Sequence, residues 1–191
     1  LDAAPSGYTI LGGGKTAMDA CYWLLENGVE PDRIRWIRPR DSWVLPRACF
    51  QPLALVGPTL EDFAQALEIL GQAVDVEDLY RRLEAGGLAR RFDQTVTPTM
   101  FRGAILSAAE CDALERFEQV VRLGRIRRLG TDRIVLEHGD IPTDPRQVHV
   151  DCTASAFKVN PERAIFESDR ITLQGLVGGF TSFSAATIGF V

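Results

Sequence analysis

The chain has no run of about 18 consecutive apolar residues, the length a membrane-spanning helix needs. Its first residues, LDAAPSG, have neither the basic segment nor the apolar core of a signal peptide. Histidine is scarce, with two in 191 residues, and the four cysteines (Cys21, Cys49, Cys111, Cys152) never reach C-x-x-C spacing. Neither His138 nor His149 has a neighbouring Cys, so no zinc-ligand pattern is present. Isolated reduced thiols in a cytoplasmic protein, with no metal, are the expectation. Positive charge is in deficit: the formal net charge is −5. That argues against a broad face that neutralises nucleic-acid phosphates. An initiator Met is also missing, which suggests a piece of a longer protein opening on a linker, residues 1–6. What remains is a globular composition, 46% apolar and 25% charged. The length suits one domain with an insertion.

The apolar run GYTILGG (7–13) reads as a buried strand ending in glycines. KTAMDACYWLLENG (15–28) follows with helical spacing: Ala17, Cys21, Leu24 and Leu25 share a face, and Gly28 is a stop. PDRIRWIRPR (31–40) is a second strand, with Ile34 and Trp36 on one face and Ile37 on the other, ended by Pro39. Strand, helix and strand make a βαβ unit with a right-handed crossover. The middle, 45–118, has helical periodicity and reads as an insertion between strands of the sheet. Thr59 and Ser107 are its candidate helix caps, and Ser107 has Glu110 at capping-box spacing. The pairs Arg81-Arg82 and Arg90-Arg91 read as solvated faces. From 120 to 142, turn signals between short β-prone runs predict a small antiparallel meander. Residues 147–157 form another strand, and 164–180 reads as a hairpin turning at Ser168-Asp169.

GGGKT invites two readings. A nucleoside-triphosphate loop, G-x-x-x-x-G-K-[ST], must open on glycine five residues before Gly14. Thr9 stands there, inside the strand, so that loop has no length. The dinucleotide fingerprint G-x-G-x-x-G/A fits directly over Gly12, Gly13, Gly14, Lys15, Thr16 and Ala17. Gly12 permits the tight turn, Gly14 lets backbone approach a pyrophosphate, and Ala17 lets the helix pack closely on the sheet. The helix start offers N–H groups and partial positive charge to phosphates. An NAD site places an acid at the tip of the second strand; here Arg38 and Arg40 stand there, with Asp41 just beyond. Arginine suits a 2′-phosphate, so NADP(H) is expected ahead of NAD(H).

These stretches, TILGGGKTAMDACYWLLENGVEPDRIRWIRPRDSWVLPR with the later VHVDCTASAF, resemble the pyridine-nucleotide domain of FAD/NAD(P)-dependent oxidoreductases, close to flavin-containing monooxygenase-like proteins. The resemblance implies a Rossmann-like α/β domain over 7–157. It implies that Gly12, Gly14 and Ala17 line the pyrophosphate and that Arg38 and Arg40 grip the 2′-phosphate. DCTA, Asp151 to Ala154, would be the strand end near the cofactor, contributing Thr153 and Ala154. Residues 158–191 would return to an FAD domain of the same parent chain. No second glycine fingerprint for FAD is visible; Gly178-Gly179 lacks the spacing. The implied activity is that of a flavoprotein oxidoreductase in which this module presents the nicotinamide to FAD. No acid–base pair stands out as catalytic. Two other readings stay open: a nucleotide-sensing domain without enzyme activity, and an interaction module built on the helical middle.

Overall fold

A computed structural model describes residues 4–154, 164, 166–171 and 189. The chain divides into two units, residues 1–154 and 155–191.

The first unit is mixed α/β. Strand β1 (Gly7–Leu11) leads through a glycine turn into helix α1 (Lys15–Glu26), and β2 (Ile34–Ile37) follows. β1 and β2 run parallel, with Leu11 opposite Ile37. Helix α1 buries Ala17, Met18, Cys21 and Leu24, a 3.6-residue stripe. It ends where Asn27 Nδ2 donates to Trp23 O at 2.8 Å and Gly28 takes φ +78.

The middle then adds β3 (Leu45–Pro46), α2 (Val56–Gln72), α3 (Val76–Ala85), β4 (Ile105–Leu106) and α4 (Ala108–Leu114). The short strand β5 (Val120–Val121) returns to the sheet beside β2. Three antiparallel strands follow: β6 (Ile126–Leu129), β7 (Arg133–Leu136) and β8 (Gly139–Pro142). Finally β9 (Gln147–Asp151) pairs parallel with β1.

The main sheet therefore has the order β5-β2-β1-β9, all parallel. Because successive side chains alternate faces, β1, β2 and β5 each feed two cores. Ile10, Ile34 and Trp36 pack with Met18, Cys21 and Leu24 of α1 and Cys111 and Leu114 of α4. Leu11 and Ile37 point the other way and meet Ile134 and Leu136 of β7. Helices thus cover one face of the sheet and the meander covers the other. Each fully buried aliphatic side chain contributes about 1.5–3 kcal/mol.

The helical middle is not uniform. α4 buries Cys111 and Leu114, whereas α2 and α3 have no fully buried residue. Two expectations need correction. Val120 and Val121 belong to the parallel sheet, not to the meander. Thr59 does not cap a helix: α2 starts at Val56 after a 3₁₀ turn at Leu53–Leu55. The Thr59 hydroxyl instead accepts from Gln51 N–H at 2.8 Å and donates to Gln51 O at 3.0 Å. The arginine pairs are held by carboxylates, Arg81 to Glu77, Arg82 to Asp78, Arg90 to Asp112 and Glu115, and Arg91 to Glu84.

In the second unit, Phe166 and Ile171 form an antiparallel bridge. Glu167 N–H donates to Arg170 O at 2.9 Å, and the backbone bends at Ser168 and Asp169. The turn of the expected hairpin is therefore present. The rest of that hairpin, Gly178-Gly179 and nearly all of 180–191 lie outside the described residues.

Candidate functional site

Parallel pairing of β1 with β2 and β9 brings three chain segments to one edge: the glycine turn, the stretch after Ile37, and the stretch after Asp151. Gly12 is clamped there. Its N–H donates to Ile37 O at 2.9 Å, and Trp36 Nε1 donates to Gly12 O at 2.7 Å. Cys152 N–H donates to Leu11 O at 2.9 Å. Gly12 sits at φ +127, and a Cβ added to it would come within 2.8 Å of Cys152 O. Both conditions demand glycine. Gly13 is nearly as confined, since its Cβ would meet Arg40 O at 2.8 Å.

Gly14 is different. It is the N-cap of α1, with φ −92 and ψ 179, angles open to any residue. A Cβ there would have no atom within 4 Å among the described residues. Neither packing nor backbone conformation requires glycine at position 14. No side chain among the described residues caps α1, and no acidic residue lies in its first turn. The first backbone bond back is Met18 N–H to Gly14 O at 3.1 Å. A helix start with unpaired N–H groups and no competing acid favours an anion.

Around this start, Lys15 pairs with Asp19 and stands 3.8 Å from Glu110. Thr16 is exposed and Ala17 is wholly buried in the core. Thr153 and Ala154 are exposed at the tip of β9. The Thr153 N–H and hydroxyl both donate to Asp151 Oδ1, at 2.9 and 2.7 Å. These bonds hold the Asp151 carboxyl below its usual range.

The two arginines of the β2 tip part company. Arg38 is 2% exposed, with its guanidinium 4.6 Å from the Trp36 ring centre and 5.5 Å from that of Phe92. It forms an ion pair with Asp41 at 2.7 Å, and Asp41 also accepts from Arg122 at 2.8 and 3.2 Å. Burial pulls the Arg38 pKa down to about 10, against the attraction of Asp41. Its Nε and Nη1 have no hydrogen-bond partner among the described residues. Arg40 is exposed, its Nη2 3.7 Å from Met100 Sδ. Of the two, Arg40 is the one a ligand in solvent can reach.

Sequence reasoning missed the supports of this site. Trp36 holds Gly12, Asp41 holds Arg38, and Phe92 covers it. Asp41 was legible as an acid three residues from Arg38; Phe92 carried no local signal. Among the described residues no group of His, Cys, Asp and Glu is arranged to hold a metal, and no helix is long and apolar enough to cross a membrane.

No family model matches the chain, and no solved structure matches it. Its curated relatives include uncharacterized proteins of Mycobacterium tuberculosis and Mycobacterium bovis. Each is 41% identical over 189 residues, 96% of this chain and 34% of the relative. The chain thus spans about a third of the length of the curated relatives it matches.

Proposed function

We propose that this chain is a Rossmann-type module that binds NADP(H) and, within a longer protein, holds the nicotinamide for hydride transfer to FAD. The observation that carries the reading is Gly14. It is a glycine that neither its dihedral angles nor its neighbours require, placed over an uncapped helix start. A dinucleotide pyrophosphate needs that combination: room for close approach, free N–H groups and partial positive charge. The strand order supports the same reading. Numbered along the sheet's own strands it is 3-2-1-4, and the glycine turn lies at the carboxyl ends of β1 and β9, where the order reverses.

The residues divide the work. Gly12 and Gly13 shape the turn, Gly14 and the N–H groups of Lys15, Thr16 and Ala17 receive the pyrophosphate, and Lys15 adds charge beside it. Arg40 is the group for the 2′-phosphate. Arg38 shapes the floor beneath Gly13 and stiffens the β2 tip through Trp36 and Asp41. Thr153 and Ala154 border the site from β9. Bound NADPH supplies the hydride chemistry; the chain supplies position and electrostatics.

Titrating the chain with NADPH and NADH tests this. Binding of NADPH is expected, with Arg40→Ala weakening NADPH by about 1.5–3 kcal/mol through loss of a charge-assisted bond and NADH far less. Equal losses for both cofactors would remove the 2′-phosphate assignment. No binding of either cofactor to the folded chain would remove the reading itself.

A further inference from the structure

α2 spans 17 residues without burying one of them fully. Thr59, Asp62, Ala66 and Ile69 are half-buried and mark the side turned to the protein. Beside them runs a second apolar row: Val56, Leu60, Phe63, Leu67, Leu70 and, just past the helix, Val74. These six side chains are between 45% and 83% exposed. Their steps of four, three, four, three and four are those of a helix-pairing seam.

We propose that this row is a self-pairing face, on which α2 of one copy of the chain lies antiparallel against α2 of a second copy. The spacing of the row is the same in both directions about position 65. Antiparallel pairing sets Leu60 against Leu70 and Phe63 against Leu67, with Val56 at the start of one helix and Val74 just past the end of the other flanking them, and each contact recurs by symmetry. That is the self-complementarity a two-fold interface requires. The outer edge of the seam is Gly57, Ala64 and Gly71, all exposed and small, which lets two backbones approach closely. The inner edge is Thr59, Ala66 and Ala73. Flanking positions of a helix pair select partners by charge, and here they carry none. Nothing on the seam favours a charged partner over a copy of itself. Glu61 and Glu68 lie one step further out and stay in water.

Two further observations agree. Leu53 is 87% exposed and takes φ +57, a strained conformation for leucine. Leu55, 56% exposed, continues the patch toward Val56. Eight such side chains at roughly 100 Å² each amount to about 800 Å² per copy, the size of a standard interface.

Sedimentation of the chain, Leu67→Glu and Ala64→Cys tests this. The wild-type chain is expected to dimerise with an affinity that holds or strengthens as salt rises, because the contact is apolar between two acidic rims. Leu67→Glu is expected to weaken the dimer at least tenfold, about 1.4 kcal/mol or more by the relation of Kd to free energy. Its helix content should stay unchanged, because Leu67 is 52% exposed in the single chain, and its thermal midpoint should equal that of the wild-type chain diluted to a monomer. Ala64→Cys should form an interchain disulfide through residue 64 under mild oxidation, at a rate the wild-type chain with its own cysteines does not match. A monomer at all accessible concentrations would overturn the proposal. So would a dimer indifferent to both variants, or an association that salt weakens.

Discussion

The starts of α1 and α4 belong to helices packed against each other on one face of the sheet, yet they are built in opposite ways. At α4, Ser107 Oγ accepts from Glu110 N–H at 3.2 Å, and Glu110 Oε2 accepts from Ser107 N–H at 2.6 Å. Arg47 closes on the same carboxylate at 2.9 Å. Burial alone would raise the Glu110 pKa, but the Ser107 N–H and Arg47 hold it down to about 2. At α1 the cap is Gly14, with no side chain to offer and open space where one would go. Every helix start has orphan N–H groups. The chain meets the need of α4 from its own side chains, and among the described residues none does so at α1. A closed start serves stability; an open one is what the proposed pyrophosphate site requires.

The largest effect should come from the residue that lets the chain reach the open start at all. Gly12→Ala, facing both φ +127 and the 2.8 Å approach to Cys152 O, is expected to cost about 3 kcal/mol in denaturant unfolding. A loss below about 1 kcal/mol would mean that the turn yields and the clamp is weaker than drawn.

Acid should attack the closed start next. Glu110 has a folded pKa near 2, below its ordinary 4.5. Its contribution is therefore complete above pH 4.5 and disappears as pH falls from there toward 2. A stability loss of roughly 1–3 kcal/mol across that window is expected to trace to this group. Glu110→Gln should flatten that part of the profile; an unchanged profile would assign the acid sensitivity elsewhere.

Closing the open start is the third test. Gly14→Asp supplies a cap and a negative charge where the pyrophosphate is proposed to sit. Stability should rise by about 0.5–1 kcal/mol, while NADPH affinity falls at least tenfold, about 1.4 kcal/mol. Greater stability with full NADPH affinity would separate the helix start from the cofactor. The smallest effect belongs to the converse change. Ser107→Ala should cost about 1 kcal/mol of stability and leave the NADPH dissociation constant unaltered. If both change together, the two starts are not independent.

Much of this was legible in the residues. Ser107 and Glu110 announced the closed start through their spacing, since a capping box is a purely local device. The β1–α1–β2 order followed from periodicity and glycine position. The meander followed from its turn residues. Failures came where partners are distant. Val120 and Val121 looked like the first strand of the meander because nothing local distinguishes one short β-prone run from another. Their place beside Trp36 and Ile37 depends on a crossover of some 80 residues, from Ile37 to Val120. Thr59 was a chemically sound cap, but the 3₁₀ turn at Leu53–Leu55 had already begun the helix.

The sequence by itself determined which residues could make the turn: a glycine run after an apolar strand and before an amphipathic helix allows little else. It also determined that two arginines stand at the tip of β2. Only the tertiary structure decided which arginine is buried and which is exposed. Phe92, far along the chain, closes over Arg38, and Asp41, itself gripped by Arg122, draws its charge inward. Arg40 stays in solvent. Residue type sets what a side chain can bind; burial, which long-range packing decides, sets whether it can reach a ligand.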